Sequence, residues 1–168
     1  MEGDAGRCAA ANGRPANETG AHVGRPDSLS PRTKASFRKR EGGVSGITFD
    51  AGGLTALDRN DRRVLTLVAR ATERGMRMTI PATALAQAMR NPARQARLSR
   101  LIRQAGTDLI PLDGPDATAV GLLMARTATA DIVDAHVVIC ERRGGQAVVT
   151  SDADDLRRIA PELQLVVV

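Results

Sequence analysis

What most constrains this chain is the alternation, from Val44 onward, of short apolar runs with longer stretches of helical periodicity. Five runs read as strands: Val44 to Phe49, Met76 to Ile80, Asp108 to Leu112, Gln146 to Val149 and Leu163 to Val168. Strands that are apolar throughout are covered on both faces, and strands joined by helices run parallel. The spacing predicts helices over Gly52–Arg59, from a cap at Asn60 or Asp61 to Arg74, and from Pro81 to Arg90. Further helices are expected over Ala93–Gln104, Pro115–Thr127, Asp131–Arg143 and Asp152–Ile159. Val64, Leu67, Val68 and Ala71 show the governing pattern, with Gly75 as the stop. The fold class is α/β, three layers around a central, mainly parallel sheet.

Residues 1–43 have a different texture. Eight of the sixteen glycines occur by residue 46, with Pro15, Pro26 and Pro31, and large apolar residues reduce to Met1, Val23, Leu29 and Phe37. Such a segment cannot bury enough surface to offset its ordering entropy. It is expected to be a disordered basic extension, its charge concentrated between Arg32 and Arg40, ahead of a domain over residues 44–168.

Composition narrows the chemistry. Phe37 and Phe49 are the only aromatic residues, so base stacking on surface rings is excluded, as is an aromatic cage for an ammonium group. The net charge of +5 comes almost wholly from Arg, since the only lysines are Lys34 and Lys39. Cys8 and Cys140 form no ligand motif, and Cys140 reads as a small core hydrophobe. No apolar run reaches transmembrane length and the start lacks a signal-type segment, so a cytoplasmic location with no membrane partner is expected.

In parallel sheets the ligand site lies at the carboxyl ends of the strands. Asp50 follows the first strand, and Thr150-Ser151-Asp152-Ala153-Asp154-Asp155 follows the fourth. Asp131 and Asp134, three residues apart on one helical face, open the helix before that fourth strand. Each acid alone is good helix-capping chemistry. Several converging on one sheet edge repel one another unless a cation sits among them. Lys is absent from residues 44–168, so hard carboxylate oxygens there favour Mg²⁺ or Mn²⁺. Such a site suits hydrolysis of a phosphodiester by metal-activated water. His136, on a mostly apolar helix, reads as a core residue.

The segments ITFDAGGLTAL, IPATALAQAMR, ADIVDAHVVICERRGG and AVVTSDADDLRRI, in this order over about residues 46–168, resemble a PIN domain of the VapC toxin type. That resemblance implies a Mg²⁺-dependent endoribonuclease, commonly a homodimer, acting on RNA and held inactive by a cognate antitoxin. By position it places Asp50, Asp134 and Asp152 as catalytic metal ligands, with Asp131 and Asp155 as additional or supporting ligands. Thr150 and Ser151 would orient Asp152 or bound water. Arg90, Arg94, Arg97, Arg142 and Arg143 are candidates for the RNA backbone, because Arg forks onto phosphate.

The sequence departs from the family at Gln87, where a Glu is common. Gln hydrogen-bonds water but brings no charge, and Asp131 is the available substitute. The alternative reading is a catalytically weak PIN-like module that binds RNA or protein. A haloacid-dehalogenase-type phosphatase fits less well, since Gly52 stands where its second Asp belongs. That rival and a receiver domain both also need a Lys that the domain lacks. A P-loop is excluded for want of Gly-Lys-Ser/Thr.

Overall fold

The computed structural model describes residues 44–168, so the proposed N-terminal extension lies outside the described residues. The strands are β1 (Gly46–Phe49), β2 (Arg77–Pro81), β3 (Thr107–Ile110), β4 (Ala147–Thr150) and β5 (Leu165–Val167). They form one sheet in the order β3-β2-β1-β4-β5, with every pairing parallel. Seven helices flank it: α1 (Ala51–Asp58), α2 (Arg62–Glu73), α3 (Ala82–Ala88), α4 (Ala96–Ile102), α5 (Gly114–Thr127), α6 (Ile132–Gly144) and α7 (Ala153–Ile159).

The expected strands and helices are all present, with shifted ends. α4 starts three residues later than the periodicity suggested. Pro92 interrupts the approach, and the Asn91 carbonyl instead accepts the N–H groups of Arg94 and Gln95 in a turn. Pro81 ends β2 and caps α3, one residue before the first helical position expected for it. Gly75, with φ of +61°, ends α2 in the left-handed region that only glycine reaches cheaply.

β1 sits at the centre of the sheet and all four of its residues are buried. Phe49 is completely covered, with Ile47, Met78, Ile80, Val148 and Val149 around it in the core. The buried hydroxyl of Thr48 donates to Gln146 Oε1 at 2.7 Å, tying β1 to the start of β4. Register then sets Phe49 opposite Val149, so Asp50, just after β1, and Thr150, the last residue of β4, emerge side by side.

A second buried polar group holds α6 against its neighbours. Asp116 of α5, 2% exposed, takes two bonds from the Arg143 guanidinium, one of them at 3.2 Å. His136 is fully buried, with Nδ1 on the Thr83 hydroxyl at 2.9 Å and Nε2 3.8 Å from Asp116. Burial lowers the imidazole pKa, which keeps the ring neutral and supports its reading as a core residue. Cys140 packs nearby, its thiol pushed up to about 12 mainly by burial. The ion pair is asymmetric, because the Arg143 side chain is 49% exposed and Asp116 only 3%. Removing Arg143 strands a carboxylate in the core, whereas removing Asp116 leaves an Arg that water can solvate. Arg143→Ala should therefore cost about 2 kcal/mol in urea unfolding, discounted for solvent reaching the guanidinium. Asp116→Asn should cost less than half of that. Equal losses would contradict the asymmetry.

Candidate metal-dependent active site

β1 is followed by a connection to β2 on one side, and β4 by a connection to β5 on the other. The gap between their carboxyl ends is thus the point where the chain's winding reverses, and open α/β sheets place ligands at such a point. Asp50 stands at the end of β1, Thr150-Ser151-Asp152 at the end of β4, and the N-terminus of α6 brings Asp131 and Asp134 to the same edge.

Three of the four acids, Asp50, Asp131 and Asp152, have a local reason to be there. Asp50 caps α1, its Oδ1 accepting the Gly53 N–H at 2.5 Å. Asp131 caps α6 by accepting from Val133 at 2.7 Å and Asp134 at 3.0 Å. Asp152 caps α7 by accepting from Asp154 at 3.3 Å. Thr150 lies between two of them. Its Oγ1 accepts the Asp152 N–H at 2.9 Å, stands 2.9 Å from the Asp152 carbonyl, and favours the charged form of Asp50.

Capping accounts for the positions but leaves the electrostatics unbalanced. Burial raises the Asp50 carboxyl above its usual range, against the bonds from Gly53, Thr150 and Gly52, and the Asp152 charge pushes the same way. Asp134 is raised further, to about 6, first by burial and then by the charges of Asp131, Asp50, Asp155 and Asp152. Asp134 caps nothing, so it gains no cap to offset this strain. Among the described residues no ion pair reaches Asp50, Asp131, Asp134 or Asp152. Asp155 differs from these four: it pairs with Arg158 on α7 at 2.8 Å.

A divalent cation would relieve this repulsion, and uncharged or carboxylate oxygens are the donors Mg²⁺ and Mn²⁺ prefer. Among the described residues no three such side chains close into a ready-made cage. The fit is therefore one of donor chemistry and charge.

Beside the acids runs a groove of about 900 Å³, its walls including Gly52, Arg59, Gln87, Arg90, Asn91 and Ser151. Gln87 is exposed at the last turn of α3 and faces this groove. Gln95 is buried below it and holds the rim together. Its Oε1 accepts the N–H groups of Arg90 at 2.7 Å and Asn91 at 2.8 Å, while Nε2 donates to the Ala88 carbonyl at 3.1 Å and Asp58 at 3.2 Å.

The basic candidates separate. Arg90 lines the groove. Arg142 and Arg143 stand at the far end of α6, where the Gly144 carbonyl accepts from Ser45 just before β1 begins. That is the opposite edge of the sheet from Asp134, and both arginines are engaged, with Glu162 at 2.7 Å and with Asp116.

No protein-family model matches the sequence, and no curated protein matches it. Solved structures do. A crystal structure of VapBC2 from Rickettsia felis bound to a DNA fragment from their promoter superposes with a TM-score of 0.53 at 12% identity, covering 73% of this chain and 98% of that one. The chain has a PIN-like fold. A crystal structure of FitAcB from Neisseria gonorrhoeae also aligns, with a TM-score of 0.49 at 12% identity over 71% of this chain and 95% of that one.

Sequence reasoning missed two features of this PIN-like domain. Gly52 and Gly53 let the first turn of α1 press against the end of β4, where an added Cβ would meet Ser151 and the Val149 carbonyl. The Gly-Gly after a strand-end Asp is a visible signal for close approach. Gln95 carries no comparable signal, because its partners come from two segments far apart in sequence, Ala88 to Asn91 and Asp58.

Proposed function

We propose that this chain is a metal-dependent endoribonuclease of the VapC toxin type, restrained by a cognate antitoxin protein. The observation that carries the reading is the acidic group at the reversal point of a PIN-like sheet, with Asp134 pushed up by burial and then by four neighbouring carboxylates, and with no cationic side chain among the described residues paired with it. The motif order supports the family-level part, and the homodimer implied by the resemblance belongs to the same proposal.

Asp50, Asp134 and Asp152 would hold Mg²⁺ or Mn²⁺, with Asp131 supplying the charge that Gln87 does not. The ion, when bound, lowers the pKa of water and neutralises charge developing on the scissile phosphate. Thr150 fixes the backbone at Asp152, and Ser151 presents its hydroxyl at the head of the groove. Asp50, buried and bonded to Gly53, holds its carboxylate in one orientation. A strand laid in the groove beside them would meet Arg90 at its wall with a phosphate.

Substitution to Asn isolates the chemistry, because Asn caps helices about as well as Asp. Purified protein incubated with structured RNA should give discrete cuts in Mg²⁺ that vanish in EDTA. Asp50→Asn should lower the rate by ~100-fold or more, as should Asp131→Asn, with the fold retained by circular dichroism. Full activity in Asp131→Asn removes that residue from the metal site. Binding without cleavage, unchanged by Asp50→Asn, would replace the nuclease with an RNA-binding module, the reading that Gln87 favours. Co-expression with the product of a neighbouring small reading frame should silence the cuts.

A further inference from the structure

Between Arg74 and Thr107 the chain carries seven arginines and not one Asp or Glu. Arg77 is spent on Asp108 at the β2–β3 edge. Arg90, Arg94, Arg97, Arg100 and Arg103 are exposed, and among the described residues none of their side chains is in an ion pair.

Their spacing gives them a shape. Leu98 and Leu101 bury one side of α4. Residues three apart on a helix are neighbours offset by about 60°, so Arg97, Arg100 and Arg103 wind across the opposite, solvent face. They rise roughly 9 Å along the axis, the length of about three stacked nucleotides at ~3.4 Å each. Arg100 and Arg103 also border a shallow hollow of about 930 Å³ with Ser99 and Gln104. The series starts at the groove beside the acids, because Gln95 fixes the Arg90 and Asn91 backbone to the end of α1 through Asp58. The helix macrodipole explains cations only in the last turn, at Arg100 and Arg103. It does not explain Arg90, Arg94 and Arg97.

We infer that this arginine series is a track for the sugar–phosphate backbone of single-stranded RNA, leading away from the acidic centre along α4. The inference rests on the endoribonuclease reading and adds the surface that would hold the substrate. A cationic row unpaired among the described residues, whose one aromatic, Phe49, is fully buried, grips phosphate and reads no base, so the track would be indifferent to sequence. Arg carries five donors in a fixed fork and suits phosphate better than a point charge does.

The test is binding of the full chain to a fluorescent oligoribonucleotide of roughly 15 nucleotides in EDTA, over a salt titration. Each phosphate contact on a single strand contributes ~0.7 to the slope of log affinity against log salt. Combining Arg97→Gln, Arg100→Gln and Arg103→Gln should flatten the slope by about 2 and weaken binding at least ~10-fold at low salt. The same three positions changed to Lys should recover most of the slope. Arg142→Gln, at the far end of α6, should change neither. An unchanged slope in the Gln variant overturns the track, as does a wild-type chain that does not bind. Equal affinity for a poly-glutamate peptide would assign the row to an acidic protein instead. Because EDTA removes cleavage, binding that depends on the three arginines in a chain that never cuts in Mg²⁺ defeats the nuclease reading and leaves the track standing. Cutting in Mg²⁺ with binding that does not depend on the three arginines does the reverse.

Discussion

Asp134→Asn should abolish metal-dependent RNA cleavage and, in the same protein, make the metal-free fold more stable. The two effects have one cause. Asp134 is half-buried, and burial first, then the charges of four neighbouring carboxylates, raise its pKa from the ordinary 3.8 to about 6. A carboxyl whose pKa is higher folded than unfolded binds more protons in the folded state between those two values. Stability therefore falls as pH rises from about 4 to 6, and the deficit persists at every higher pH. Undiscounted, a shift of this size corresponds to ~3 kcal/mol; partial exposure brings the expected penalty to ~1 kcal/mol. Asn removes the charge, so the variant should melt about 4 °C higher than the wild type at pH 7.5, with the difference vanishing near pH 4. Mg²⁺ should raise the wild-type melting temperature and leave the variant's unchanged. Cleavage should drop ~100-fold or more. A variant that melts lower than the wild type at pH 7.5 would show that Asp134 stabilises the fold and would remove the charge-repulsion argument for a cation.

Much of this centre is legible in the sequence because its acids are local. A strand-end Asp is identified by the apolar run before it, as at Phe49-Asp50 and Val149-Thr150-Ser151-Asp152. The parallel topology that brings those ends together follows from the same runs. The pairing of charges is not local. Arg142 and Arg143 look free in the sequence, yet their partners, Glu162 and Asp116, lie 20 and 27 residues away. Asp155 is the local exception: it looks equivalent to Asp152, yet its partner Arg158 is only three residues on, one turn along α7. The arginines of α4 illustrate the converse: a stretch without acids supplies no partners of its own, and among the described residues the fold brings it none. Helix ends shifted for a similar reason, since Gln95 and Asn91 choose a turn where periodicity alone extends α4 back to Ala93.

Gly53→Ala should be among the most damaging single substitutions in the domain, although it adds only one methyl group. The new Cβ would stand 2.4 Å from the Val149 carbonyl oxygen and 3.0 Å from its carbon. That carbonyl cannot step aside. It already accepts the Asp50 N–H at 3.2 Å, and Val149 lies fully buried in β4 between β1 and β5. Relief requires α1 to lift off the sheet, which moves the Gly53 N–H away from Asp50 Oδ1 and releases the carboxylate that Gly53 orients. Overpacking against backbone at this site should cost about 3 kcal/mol, a large share of a typical domain's stability. Gly52→Ala offers the comparison. Its Cβ would collide with the Ser151 hydroxyl, the end of an exposed side chain that can rotate, while the Ser151 backbone nitrogen stays 3.1 Å away. That variant should lose ~1 kcal/mol and keep its fold, with its defect showing in cleavage rate through the displaced Ser151. Urea midpoints that rank Gly53→Ala well below Gly52→Ala would confirm that α1 is seated directly on the β4 backbone. The reverse ranking would mean that α1 yields more easily than Ser151. Asp50 would then owe its orientation to Thr150 and the β1 register, and a loss of cleavage in Gly53→Ala would need another cause.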